Sequence, residues 1–456
     1  MFRIAIIGAG PSGFFLADKL LSQETVPVSV DLFERLPTPY GLVRYGVAPD
    51  HEKIRNVTRT FDKVAARPGF RFFGNVEIGK HVTLEELRHY YHLIAFTTGA
   101  QTDRRMGIPG EDLPGSHTAT EFVAWYNGHP DYRDRAFDLS GERVAVVGVG
   151  NVAVDVARIL ARSHDELTTT DLADHALDAL EASGVREVHL LGRRGPAQAA
   201  FTNPEVKELG ELEGADVSAL LHEVELDALS ASAIGDDAAT KKKLEILNDY
   251  ARRQATGKPR RLNLRFLVSP VEILERNGRV AGIRLVRNRL VQSGDDLKAE
   301  PTGEYEDLPA DLIFRSVGYR GVALPGLPFD EKRGVVPNER GRVVLPTDSR
   351  GEASPRPLLG AYVSGWIKRG PSGVIGTNKP DAGETADAML EDAVAGRTLS
   401  PDRDDIQPLL RERQPDLVEW SHWQKLNLAE TGAGSAVGRP RVKHSRIADM
   451  LAAIRR

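Results

Sequence analysis

Ile4-Ala5-Ile6-Ile7-Gly8-Ala9-Gly10-Pro11-Ser12-Gly13 decides how this chain is read. The unbroken apolar run predicts a strand buried on both faces, as in a parallel sheet covered by helices. The glycines then fit G-x-G-x-x-G. The first permits a tight turn, the second lets the backbone approach a pyrophosphate, and the third lets the next helix pack closely on the strand. That helix, expected from about Pro11 to Leu21, offers free N–H groups and partial positive charge to an anion. A second strand is expected from about Val28 to Phe33. Glu34 ends it, 21 positions after Gly13, where a carboxylate reads a bare ribose 2′-hydroxyl. The bland alternative is a glycine turn with an exposed glutamate.

The same logic restarts at Arg143. Val144 to Val147 reads as a buried strand, and Gly148-Val149-Gly150-Asn151-Val152-Ala153 fits the G-x-G-x-x-A variant before a helix to about Ala161. The following strand, from Glu187 to Leu191, ends in Gly192-Arg193-Arg194 instead of an acid. A carboxylate would repel a 2′-phosphate, whereas a guanidinium can bind it bidentately. The pattern therefore reads as NADPH, against the alternative of two solvated arginines. One site for a bare ribose and one for a phosphorylated ribose imply FAD plus NADPH, and hence an oxidoreductase.

Working outward, a Pro/Gly-rich loop covers Leu36 to Pro49, and Asp50 is placed to cap a helix from about His51 to Ala66. A strand is expected at Leu93 to Thr98, a helix at Asp171 to Glu181, and strands at Leu308 to Val317 and Leu358 to Val363. A helix from about Val374 to Ala395 and a last one near Ile447 to Ile454 follow. The segment from Ser218 to Thr256 is polar and shows no clear element boundaries. Strands alternating with helices give the fold class: α/β, with two Rossmann-like doubly wound nucleotide-binding domains.

Composition narrows the chemistry. The 456 residues carry 60 Lys and Arg against 65 Asp and Glu, a net charge of −5, which argues against a nucleic-acid binder. No apolar run approaches the roughly 18 residues of a membrane helix, and no secretory signal pattern is present, so a cytoplasmic protein without a membrane partner is expected. There is no cysteine. Disulfides, a redox dithiol and a thiolate-held iron–sulfur cluster are thereby excluded, so electrons must leave to a separate acceptor.

Two long strings carry a family resemblance. They are Pro37-Thr38-Pro39-Tyr40-Gly41-Leu42-Val43-Arg44-Tyr45-Gly46-Val47-Ala48-Pro49-Asp50-His51 and Gly365-Trp366-Ile367-Lys368-Arg369-Gly370-Pro371-Ser372-Gly373-Val374-Ile375-Gly376-Thr377-Asn378-Lys379, joined by Gly438-Arg439-Pro440-Arg441 near the end. With them the chain resembles the adrenodoxin reductase-like family of ferredoxin–NADP reductases, over essentially its whole length. The resemblance implies a glutathione reductase-like, two-dinucleotide-binding flavoprotein. An FAD domain would be built from residues 1–103 and 326–456, with an NADPH domain, residues 104–325, inserted between. It implies FAD contacts at Ser12, Glu34, Leu42, Ile78, Trp366 and the Gly373-Val374-Ile375 backbone, beside Gly8, Gly10, Gly13 and Gly41. NADPH contacts are implied at Asn151, Val152, Arg193, Arg194 and Glu205, with Arg104 near the domain junction, beside Gly148 and Gly150. No metal is expected.

The residues themselves agree in part. Gly373 to Ile375 would open a helix whose N–H groups stabilise charge on a flavin. Trp366 is either a flat wall for a ring or a plain core tryptophan. His51 could tune charge or relay a proton beside the flavin, or be a first-turn surface histidine. His51 and Glu205 are the two expected catalytic residues, and the alternative for Glu205 is a surface position at a helix end.

The implied activity is NADPH to FAD to ferredoxin. A disulfide reductase lacks its cysteines. A flavin monooxygenase would need F-x-G-x-x-x-H, but His81 falls too late after Phe72, Phe73 and Gly74. A nucleotide-binding regulatory flavoprotein without turnover stays open. Ferredoxins are acidic, and the stretch from Lys241 to Arg265 carries +7 in 25 residues against −12 for the rest of the chain. It reads either as a solvated helix and loop or as a ferredoxin-docking patch, with Arg252, Arg253, Arg260 and Arg261 as its core.

Overall fold

The apolar run at the start of the chain forms the strand Phe2–Ile7, inside a seven-stranded sheet. The computed structural model describes residues 1–294, 296–345 and 356–455. Within this sheet the strands run in the order Asn338–Glu339, Arg342–Leu345, Arg356–Val363, Leu93–Phe96, Phe2–Ile7, Val28–Phe33 and Phe70–Phe73. The five strands from Arg356–Val363 to Phe70–Phe73 pair in parallel. Successive side chains of a strand face opposite ways. Ile4 and Ile6 accordingly enter one core with Phe14, Leu16 and Trp423, while Ala5 and Ile7 enter another with Phe33 and Tyr91. Each fully buried isoleucine contributes roughly 1.5–3 kcal/mol, which is why no polar residue interrupts the run.

A second sheet orders Ser116–Thr118, Leu312–Arg315, Arg143–Val147, Glu187–Leu191, Arg260–Arg265 and Ala215–Ala219, all parallel. A three-stranded antiparallel sheet, Val268–Arg276, Arg279–Ser293 and Asp296–Pro309, is inserted between its strands Arg260–Arg265 and Leu312–Arg315. The contacts divide the chain into two compact units. One holds Met1–Thr102, Gly318–Val437 and the residues from His444 on; the other holds Asp103–Val317 together with Gly438–Lys443.

Several expected elements are corrected. Asp50 is not the N-cap residue: the first helix there is Glu52–Arg55 with His51 in the N-cap position, and Thr58–Ala65 is a separate helix. The helix expected from Val374 begins only at Asn378, after a 3-10 turn at Ile375–Thr377, and runs to Val394. Leu308 and Pro309 end the long antiparallel strand, so the parallel strand is only Leu312–Arg315. The polar segment resolves into a strand, Ala215–Ala219, and the helices Leu221–Val224, Ala228–Ile234 and Ala238–Arg252. Trp420 and Trp423 lie on a 17-residue helix, Trp420–Ala436.

Candidate functional site

In the first unit the turn is built as its glycines require. Gly8 has φ +109, and a Cβ there would sit 2.8 Å from the Thr97 carbonyl oxygen. A Cβ on Gly13 would overlap the Gly8 carbonyl oxygen, so the helix Pro11–Ser22 can lie close only over glycine. Gly10 differs: its φ is −84, and its nearest non-adjacent atom, Gly41 Cα, is 4.0 Å from the Cβ position. The protein leaves space at Gly10 that a pyrophosphate can use. Glu34 Oε2 accepts a hydrogen bond from Ala9 N at 3.0 Å, and Oε1 accepts from Leu36 N at 3.2 Å. Its carboxylate is thus fixed at the end of the second strand, over the turn. Burial pushes the Glu34 carboxyl above its ordinary range, and the backbone donors pull against that rise.

The two family strings converge on this turn. Tyr40 N donates to Ala9 O at 2.7 Å, and Gly41, at φ +50, packs against Gly10. Leu42 opens the helix Leu42–Tyr45 and is 39% exposed, available to a ligand. Ser12 Oγ donates to Ser364 Oγ at 2.9 Å, which joins the first helix to the second string. Asp381 was not singled out in the sequence. It accepts from Ser364 Oγ at 3.0 Å and Gly365 N at 2.5 Å, and it pairs with Lys368 at 3.2 Å. Trp366 is not a core tryptophan. Its indole stacks on Tyr319 with centroids 5.4 Å apart, and its Nε1 donates to Ser372 O at 3.2 Å. Gly373 has φ +79 and Val374 is 56% exposed, so this backbone is presented outward. Ile375 O accepts from Asn378 Nδ2. Ile78 packs on the core that holds Ala5 and Ile7 and bridges to Val82. His51 is half-buried at its helix start.

In the second unit Gly148 has φ +130, and a Cβ there would overlap the Ser316 carbonyl oxygen. Gly150 has φ −98 and nothing within 4 Å of its Cβ position, the same ligand-sized freedom as Gly10. Asn151 starts the helix Asn151–Ala161, and its Oδ1 accepts from Thr202 N at 2.9 Å; Val152 packs on the core behind it. Arg193 is exposed and Arg194 half-buried, and among the described residues neither guanidinium has an ion-pair partner. Their backbone is pinned instead. Asn288 Nδ2 donates to Arg193 O at 2.9 Å and Leu267 N to Arg194 O at 3.1 Å. Arg104 is exposed. Glu205 is buried, not on the surface: fully buried Arg158 holds it at 3.3 Å and Asp155 at 2.7 Å. The buried carboxylate thus has a guanidinium as its partner inside the unit.

The basic segment is only partly a surface. Arg260–Arg265 is an inner strand of the parallel sheet, and Arg265 is buried between Glu223 and Glu306 at 2.9 and 2.6 Å. Arg260 donates to Val185 O and Arg162 O, Lys243 to Ala199 O and Lys258 to Leu212 O. Those four charges serve the fold. Lys241, Lys242, Arg252, Arg253 and Arg261 stay exposed.

Known proteins are similar to this chain over its length. The NADPH-ferredoxin reductase FprA of Mycobacterium leprae is 47% identical over 98% of this chain and 97% of its own length. The chain belongs to the adrenodoxin reductase-like family of ferredoxin–NADP reductases. The mitochondrial NADPH:adrenodoxin oxidoreductase of Salvelinus fontinalis is 39% identical over 98% of this chain and 90% of its own. The solved structure of Mycobacterium tuberculosis FprA in complex with NADPH matches with a TM-score of 0.91 and 47% identity, covering 100% of both chains. A family model described as pyridine nucleotide-disulphide oxidoreductase matches residues 2–189. The disulphide part of that description has no counterpart in this member, which has no cysteine. No described helix is long and apolar enough to cross a membrane.

Proposed function

We propose that the protein is an NADPH-dependent FAD flavoenzyme that passes electrons from NADPH to a ferredoxin. The observation that carries this is the pair of glycine turns with opposite ribose readers, Glu34 after one and Arg193–Arg194 after the other. The first unit would hold FAD and the second NADPH. The residues present fit both groups: each turn leaves open space at its second glycine and closes it at Gly8 and Gly13 in the first and at Gly148 in the second. Bound FAD would accept a hydride and release single electrons. The chain's own part is to bind and orient. Glu34 would accept from the adenosine ribose hydroxyls, the Pro11–Ser22 helix start would face the pyrophosphate, and Trp366 with the Gly373–Ile375 backbone would border the reacting ring. Arg193 and Arg194 would grip the 2′-phosphate. His51 and Glu205 are the proposed catalytic residues, with Arg104 a further NADPH contact. A cytoplasmic setting suits the cysteine-free composition.

The test is direct. Purified protein should be yellow, release FAD on denaturation, and reduce a ferredoxin faster with NADPH than with NADH. Release of FMN, or no flavin after reconstitution, would sink the assignment.

For the ferredoxin we propose docking on the exposed part of the basic segment. Changing Lys241, Arg252, Arg253 and Arg261 to Glu should slow ferredoxin reduction by roughly ten- to a thousandfold at low salt, the range over which steering acts. The defect should shrink as salt rises, and reduction of a neutral quinone should stay unchanged. Parallel loss of quinone reduction would refute docking.

A further inference from the structure

The loop Tyr40–Tyr45 lies on the dinucleotide turn, yet it is not held there by the turn alone. Tyr40 has φ +85, a conformation that non-glycine residues keep only when their surroundings enforce it. Tyr40 Oη donates to Asp62 Oδ1 at 2.5 Å, and further contacts come from far along the chain. Trp423 Nε1 donates to Tyr40 Oη at 3.3 Å, with the two rings edge to face at 5.5 Å. Arg44, three residues after Gly41, forms a two-point ion pair with Glu430: Nη1 to Oε2 at 2.8 Å and Nη2 to Oε1 at 2.6 Å. The side chains are 3% and 0% exposed. Trp423 and Glu430 are seven residues apart on the helix Trp420–Ala436, hence on one face, two turns apart. One helix face thus grips both ends of the loop. Glu430 Oε1 also accepts from His444 N at 2.9 Å, which fixes the chain where it re-enters this unit.

A buried ion pair is a poor way to gain stability, because desolvation offsets most of its attraction and apolar side chains of like size often do better. Its two-point geometry instead fixes position. What it positions is Gly41, which packs against Gly10, the glycine with ligand-sized space beside it. We propose that Arg44 and Glu430 are a positioning pair through which the C-terminal helix sets the affinity of the turn for the flavin nucleotide. This rests on the reading that the first turn holds FAD.

The test titrates flavin-stripped protein with FAD and follows the melting temperature of the same apoprotein. Glu430→Gln should lower that temperature and raise the Kd for FAD at least tenfold. The double variant Arg44→Met/Glu430→Leu should recover the melting temperature, since no charge is left buried alone, while its Kd stays at least tenfold raised. Arg44→Lys keeps the charge but loses the two-point grip, so it should raise the Kd at least fivefold with the melting temperature little changed. FAD affinity that returns with stability in the double variant would make the pair merely structural and overturn the proposal. Unaltered affinity in both Glu430→Gln and Arg44→Lys would overturn it too. Wild-type apoprotein that binds no FAD at all would instead overturn the flavin reading on which the proposal stands.

Discussion

Replacing Arg193 and Arg194 together with alanine should raise the KM for NADPH by at least about a hundredfold and leave the KM for NADH within about twofold. Each charge-assisted contact to phosphate contributes about 1.5–3 kcal/mol, and about 1.4 kcal/mol is a factor of ten. Neighbouring contacts do not add fully, so a hundredfold is the lower end for the pair. The structure makes this a clean experiment. Neither guanidinium has an ion-pair partner among the described residues, and the one side-chain bond lost is the long 3.5 Å contact from Arg194 Nη2 to Gln198 O. Asn288 and Leu267 hold this stretch through its carbonyl groups, which alanine keeps. Stability should therefore stay within about 0.5 kcal/mol of wild type. Steady-state kinetics with both cofactors decides it: equal loss with NADH would mean that the arginines bind some part common to the two.

The place of these arginines, at the end of the strand after the second glycine turn, was legible in the sequence. Strand, turn, helix and ribose reader all lie within about fifty residues in each half, so apolar runs and glycine spacing suffice. The contacts that were not readable join distant segments. Asn288 reaches Arg193 across 95 positions, and Arg44 reaches Glu430 across 386. Nothing local to Asn288 or Glu430 differs from an ordinary polar residue, because their role exists only after folding. Gly438–Lys443 is a similar case: Lys443, fully buried, pairs with Asp171 at 3.1 Å, and Arg439 with Asp174 at 2.6 Å, in the second unit. Its sequence alone only resembles a family tail.

In the basic segment, what charge alone did not reveal is that part of it is an inner strand. A charge count over Lys241 to Arg265 hides the alternation in Arg261-Leu262-Asn263-Leu264, whose leucines are buried on a strand. Period two was the better signal there, and it outranks charge because burying Leu262 and Leu264 carries more free energy than a solvated arginine. For Glu205 the surface alternative is the one the structure removes. An acidic helix start looks solvated, but Arg158, buried on the helix Asn151–Ala161, draws the carboxylate inside.

The glycines separate what the fold needs from what a ligand needs, and this gives the second large effect. At Gly13 and Gly148 a Cβ would overlap a carbonyl oxygen, so valine there should prevent folding of its unit. At Gly10 and Gly150 the φ values, −84 and −98, suit any residue, and a Cβ would meet only Gly41 Cα at 4.0 Å in the first case and nothing within 4 Å in the second. Gly10→Val should therefore fold, at a cost of about 1 kcal/mol for a poor N-cap, and yet hold FAD roughly a hundredfold more weakly. The branched side chain would occupy the approach of the pyrophosphate, and displacement by about 1 Å at such a site costs about that factor. Gly150→Val should leave FAD content unchanged and raise the KM for NADPH by a similar factor. Measuring the melting temperature, bound FAD and KM on each variant separates the cases. A Gly10→Val protein that keeps its flavin would show that the open space beside the first turn is not where the pyrophosphate lies.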